Sequence, residues 1–135
     1  MHRFWLPVLS LLLFGCSGSF TNSAQTSDDG SLKPRYYQAA PERVYEAAIK
    51  AFDVWDRGVQ VLDRRYAQGR GEVHGFSRTN LWKFEDDIYV TIAPANDERV
   101  KVDVRSKGRV GEYDFGGNQR NIEEYLKVLD RLLSS

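Results

Sequence analysis

The chain of 135 residues is poor in the residues that make covalent and metal chemistry, with one cysteine, one methionine and two histidines. A single cysteine has no disulfide partner within the chain, and two histidines leave little material for a zinc site. Charge of one sign is not in excess either: 19 Lys and Arg stand against 19 Asp and Glu. That balance lacks the basic footprint of a nucleic-acid-binding domain. The sequence contains no Gly-x-Ser-x-Gly, no His-Glu-x-x-His, no Walker-type glycine loop and no EF-hand spacing. Histidine-based catalysis would have to rest on His74 alone once the N-terminal segment is removed. No catalytic residue, metal or cofactor is therefore assigned from these patterns.

What is present begins at the N-terminus. Met1-His2-Arg3 precedes an apolar run from Phe4 to Phe14, and Gly15-Cys16 follows. A short positive start, an apolar stretch and small residues at its exit describe a secretory signal peptide. The run is about half of the ~20 residues needed to cross a bilayer, so it reads as an export signal and not as a permanent span. Leu13-Phe14-Gly15-Cys16 resembles the lipobox of bacterial lipoproteins. The resemblance implies cleavage before Cys16 and acylation of its thiol with palmitate-like chains. A secreted protein with a buried thiol is the other reading, but Cys16 lies between an apolar segment and a polar one, a poor place for burial. Ser17 stands where an aspartate signals inner-membrane retention in enterobacterial lipoproteins. The expected location is thus the bacterial cell envelope, lipid-anchored through Cys16, facing the periplasm and on the outer membrane.

Ser17 to Ser31 is small, polar and nearly devoid of aliphatic side chains. Such a segment buries too little apolar surface to offset its ordering entropy, and residues 16–31 are expected to be a flexible tether of ~20–23 Å. The domain proper is expected over 32–135. Arg35 to Ala39 suits a short strand, and Pro41 with Glu42 suits a helix start. Val44, Ala48, Ala51 and Trp55 then fall on one helical face, which Gly58 should close. Strands follow at Val59–Arg64 and Glu72–Arg78, around a Gly69-Arg70-Gly71 turn. Ile88, Val90 and Ile92 alternate with Tyr89 and Thr91, and Val100, Val102 and Val104 alternate with Lys101, Asp103 and Arg105. These two runs form a hairpin with one aliphatic face. Ile122, Leu126, Leu129 and Leu133 mark a final helix, capped by Asn118. The order β-α-β-β-β-β-α gives a two-layer α+β domain, an antiparallel sheet with both helices on one face. It resembles the TATA-box-binding-protein-like topology, a likeness that implies nothing about DNA.

Asp86-Asp87-Ile88, then Val104-Arg105-Ser106 with Arg109 and Gly111, then Asp114, Gly116, Asn118 and Ile122 resemble the family called domain of unknown function 1499. The likeness covers the last fifty or so residues well and the helix from Pro41 loosely. The Asn-Cys-Val segment of many members does not occur before Arg35, and the usual basic run near the last helix is replaced by Asn118-Gln119-Arg120-Asn121-Ile122. The resemblance implies a shared fold and supplies no activity.

Two readings of function remain open. The leading one is a non-enzymatic binding or scaffolding domain in the envelope. Its contact surface would be the open sheet face with Gln60, Tyr89, Thr91, Lys101, Asp103 and Arg105. Its partner would be an envelope protein, a glycan or a lipid headgroup, besides the membrane reached through Cys16. The alternative is a small hydrolase or lyase using Asp86, Asp87 and Asp114. Alternation puts Asp86 and Asp87 on opposite faces, which speaks for ion pairs with Arg105 or Arg109 over a carboxylate dyad. The aromatic cluster Leu81, Trp82 and Phe84 closes a core end or meets a partner. The loop from Ser106 to Gly117 is expected either to clasp helix to sheet through an Arg109–Asp114 pair or to cradle an anion.

Overall fold

The computed structural model describes residues 22–55, 59–78, 85–109 and 116–134. Its elements are β1 (Ser23–Gln25), β2 (Arg35–Tyr37), α1 (Pro41–Val54), β3 (Gln60–Ala67), β4 (Arg70–Arg78), β5 (Glu85–Pro94), β6 (Val100–Gly108) and α2 (Gly117–Leu133). Strands β3 to β6 form an antiparallel meander. β1 and β2 both pair with β6, along its two halves. From β2 onward the order is the expected one, and the α+β class stands.

Period-two alternation sends Ile88, Val90, Ile92, Val100, Val102 and Val104 to one face, where each is essentially buried. The two helices cover that face with Val44, Ala48, Ala51 and Phe52 of α1 and Ile122, Tyr125, Leu126 and Leu129 of α2. Tyr125 joins α2 to α1. Its ring lies 4.8 Å from that of Phe52 and 6.1 Å from that of Trp55, and its hydroxyl donates to the Ala48 carbonyl at 2.8 Å. Gly75 lets α1 approach the sheet, because a Cβ there would run into the Phe52 ring. Pro41 opens α1 as expected, with Ala40 as its extended N-cap. Gly58, the expected helix stop, lies outside the described residues. The β3–β4 turn takes Gln68 and Gly69 at φ of 53° and 76°, the paired positive values of a tight primed hairpin turn.

Two expectations need correction. Residues 16–31 are not all tether: Ser23–Gln25 is a strand, and Thr26 is 7% exposed. Composition misled because this segment contributes backbone and hydroxyl groups, not apolar area. The Thr26 amide donates to the Val104 carbonyl at 2.9 Å, and its Oγ1 accepts the Val104 amide at 3.0 Å. The same hydroxyl donates to Asp103 Oδ1 at 2.8 Å. One threonine thus completes the ladder in the gap between β1 and β2. The second correction concerns the α2 cap. Gly116, at φ 79°, is the N-cap, with no side-chain cap bond, and Asn118 lies inside the helix with other partners.

A chain starting at Leu32 would leave the Val104 amide and several polar groups at the α2 end without partners, each costing ~1–3 kcal/mol where burial persists. The expected result is that residues 32–135 melt well below residues 22–135, by more than 5 °C in paired thermal scans. Coincident melts would show that β1 and Thr26 do not support the fold.

Candidate functional site

The family-motif residues separate into two groups on opposite faces of β5 and β6. On the inner face, Asp86 is 7% exposed, while Ser106, Asn118 and Asn121 are fully buried. They form one chain of hydrogen bonds. Asn121 Nδ2 donates to Asp86 Oδ2 at 2.8 Å and, at 3.3 Å, to Ser106 Oγ. Ser106 Oγ donates to Asn118 Oδ1 at 2.7 Å, and Asn118 Nδ2 donates to Asn22 Oδ1 at 3.0 Å. The backbone repeats the tie, with the Gly108 amide donating to the Asn22 carbonyl at 2.9 Å. Two buried polar atoms nearby, the Ser77 hydroxyl and Asn121 Oδ1, have no hydrogen-bond partner among the described residues. This knot fixes the start of α2 to the sheet and to Asn22 ahead of β1. Asp114 and Gly111, the other residues of the expected clasp, lie outside the described residues, and Arg109 bonds to Asp87 on the outer face.

On the outer face, Arg109 holds Asp87 with two bonds of 2.9 Å, from Nε to Oδ2 and from Nη2 to Oδ1. The guanidinium also sits 4.2 Å from the Phe76 ring centroid. His74 Nε2 lies 2.8 Å from Asp87 Oδ1. The His74 ring stacks on Tyr89 at 4.4 Å, with 8° between the planes. Arg105 lies over the other side of Tyr89, 5.8 Å from its centroid. Cross-strand register explains the row, because His74, Tyr89 and Arg105 face one another on β4, β5 and β6. Alternation therefore placed Asp86 and Asp87 correctly on opposite faces. The carboxylates do not converge, and Asp87 is committed to Arg109 and His74. The hydrogen bonds from Arg109, above all, hold the Asp87 carboxyl below the usual carboxylate range, partial burial opposing them and His74 adding to them.

Further along the same face, Tyr89, Thr91, Lys101, Asp103 and Arg105 line an open groove of about 640 Å³ with Thr26 and Asp28. Lys101 bridges Asp28 at 2.7 Å and Asp103 at 3.6 Å, and Tyr36 donates to Asp28 at 2.6 Å. Lys101, followed by Tyr36, draws the Asp28 carboxyl below its ordinary value. Gln60 lies on this face at the far edge, opposite Phe76. Among the described residues no group of His, Cys, Asp and Glu could hold a metal ion. No described helix is long and apolar enough to cross a membrane. Cys16 and the Leu81, Trp82 and Phe84 cluster lie outside the described residues. Sequence reading missed Asn22, Thr26 and Asn121, whose polar side chains gave no periodic signal, and the His74–Asp87 contact, which only strand register reveals.

The model of the family described as "Protein of unknown function (DUF1499)" matches residues 17–129. The chain belongs to that family. Asp86, Ser106 and Asn118, three residues that carried the resemblance in the sequence, thus meet in its buried knot, and Asp87 and Arg109 in its outer pair. No curated protein matches the chain. Among solved structures, it is similar to protein CV1439 from Chromobacterium violaceum, with 16% identity and a TM-score of 0.47 over 84% of this chain and 99% of that one. It is also similar to TTHA0849 from Thermus thermophilus, with 18% identity and a TM-score of 0.45 over 82% and 96% of the two chains. A third likeness is to Ara h 8.0201, at 7% identity and a TM-score of 0.41, over 84% and 98%. None of the three brings a ligand or an activity to this family member.

The two groups predict different responses. In the knot, Asn121→Ala would remove the amide that donates to the buried Asp86 carboxylate and to Ser106, and is expected to cost ~2–3 kcal/mol in chemical denaturation. Ser106→Ala combined with Asn121→Ala should cost less than the sum of the singles, since both break one chain of bonds. On the outer face, a lowered Asp87 pKa means stability that is complete above about pH 4, the unfolded value, and is lost as pH falls through the folded value. Asp87→Asn should remove that acid limb from a stability-versus-pH curve and change little else in its shape. A limb that persists unchanged would assign it to other carboxylates.

Proposed function

We propose that this protein is an envelope lipoprotein that works by binding and not by catalysis, held to the membrane through an acylated Cys16 and presenting the outer face of its sheet. The single observation that supports binding over hydrolysis is the divergence of Asp86 and Asp87. One carboxylate is spent in a buried knot and the other on an arginine, on opposite faces of one strand. The remaining outer surface is shallow and mixed in character, with hydroxyl, carboxylate, cationic and aromatic groups side by side around the groove. Such a surface suits a polar partner read by several hydrogen bonds; a small substrate enclosed for reaction needs deeper walls. An envelope protein, a glycan or a lipid headgroup has the required polarity.

The anchor follows from the signal-like segment of residues 1–15 and the lipobox-like sequence ending in Cys16. Two acyl chains, at ~0.8 kcal/mol per buried CH₂, would hold a nearly neutral domain without help from bulk charge. Ser17 points to the outer membrane, with the domain facing the periplasm.

Fractionation of bacterial cells tests the anchor. The wild-type chain is expected with the membranes and labelled by a fatty-acid probe, whereas Cys16→Ser should lose the label and leave the processed, membrane-bound pool. Membrane retention of Cys16→Ser at wild-type level would overturn the lipoprotein reading. Mild crosslinking of whole envelopes followed by affinity purification tests the binding face: Tyr89→Ala with Asp103→Ala should lose the partner that wild type retains, and retention by that variant would place the contact elsewhere.

A further inference from the structure

Charge on the outer face is graded along β6. At its first half, Lys101 is neutralised by Asp28 and Asp103. At its second half, Arg109 is neutralised by Asp87, but Arg105 and Lys107 are exposed and have no carboxylate partner among the described residues. The same half of β6 is where the chain enters the domain. β1 runs antiparallel to it, with Ser23 opposite Lys107 and Gln25 opposite Arg105, and Asn22 bonds to Gly108. Whatever path residues 17–21 take, a trans chain gains at most ~3.6 Å per residue, so Asn22 lies within about 22 Å of Cys16. An anchored Cys16 therefore tethers the domain at the Gly108 end of β6, beside Arg105 and Lys107.

We propose that Arg105 and Lys107 rest against the anionic phospholipid surface that holds the acyl chains of Cys16. The proposal depends on the lipid anchor argued above and adds a fixed orientation to it. Phospholipid phosphates supply the complementary charge, and cations near such a surface are attracted over about a Debye length. The half of β6 near Asp28, where Lys101 is already paired, offers no such excess of positive charge, so the domain is drawn to the membrane by its Gly108 end. The groove lies further along the same face and shares Arg105, so its Thr91 and Asp103 end is the part left open to a partner.

Amine acetylation read by mass spectrometry tests this on the full chain, purified with its lipid and reconstituted into vesicles. Lys107 is expected to react about five-fold more slowly in vesicles containing phosphatidylglycerol than in pure phosphatidylcholine vesicles. Lys50 and Lys127, exposed on the helical layer, should react alike in both. High salt should abolish the difference, and Arg105→Gln should reduce it. Equal reactivity of Lys107 in the two vesicles would overturn the proposal. Equal protection in both vesicles and in detergent would overturn it in favour of a second copy covering the patch, and protection by soluble cell-wall glycan alone would assign the patch to a glycan. If the wild-type chain does not stay with vesicles at all, the anchor reading fails and this orientation falls with it; if it stays and Lys107 is unprotected, only the orientation falls.

Discussion

At one end of the sheet, hydrophobic packing stops and five polar side chains take over. Asn22, Asp86, Ser106, Asn118 and Asn121 are joined in one run of hydrogen bonds where β1 begins, β5 begins, β6 ends and α2 begins. Each of these groups is expensive to bury alone and inexpensive to bury together, so the knot forms as a unit or not at all. It also sets the geometry of everything around it. With α2 fixed at its first turn, Ile122, Tyr125 and Leu129 are aligned over the sheet, and Tyr125 reaches the Ala48 carbonyl on α1. Apolar contacts supply most of the burial here, but they are tolerant of sliding. The polar knot is not, because a shift of one residue would leave Asn121 facing hydrocarbon.

Strand β5 shows how one backbone serves two purposes. Its pleat sends Asp86 inward to hold the helix and Asp87 outward to hold Arg109 and His74. The paired aspartates of the motif, adjacent in sequence, thus hold different partners on opposite faces, as alternation suggested. The outer pair in turn orders a row of rings and guanidinium groups, His74, Tyr89 and Arg105, across three strands. That row limits the freedom of the exposed face, so a partner meeting it would find side chains already held in place.

Much of the layout was legible in advance. Alternation in β5 and β6 and the four-three-four spacing of both helices follow from burial of one face, which leaves a strong period in the sequence. The side assignments of Asp86 and Asp87 came from the same rule. The β1 strand was not legible, since Ser23, Ala24 and Gln25 carry neither hydrophobicity nor length; their pairing depends on β6, which lies some eighty residues downstream. Asn118 looked like a helix cap because asparagine commonly is one, but a buried serine on β6 competes for its side chain and wins. Of the ion pairs that alternation suggested for the two aspartates, strand pairing of β5 and β6 selects Asp87 with Arg109.

The Thr26 hydroxyl, which accepts an amide 78 residues away at Val104, has a consequence for how the molecule is made. β1 pairs with the last strand, and Asn22 bonds to Gly108 at the end of that strand and to Asn118 of the last helix. The fold is closed like a ring, its earliest segment waiting for its latest. As the chain emerges from a ribosome, the β3–β4 hairpin can form early, but β1 has nothing to pair with until β6 itself arrives. Such high sequence separation slows folding. During that interval β1 is an unpaired strip of backbone, and its small polar side chains keep the waiting segment soluble until β6 reaches it.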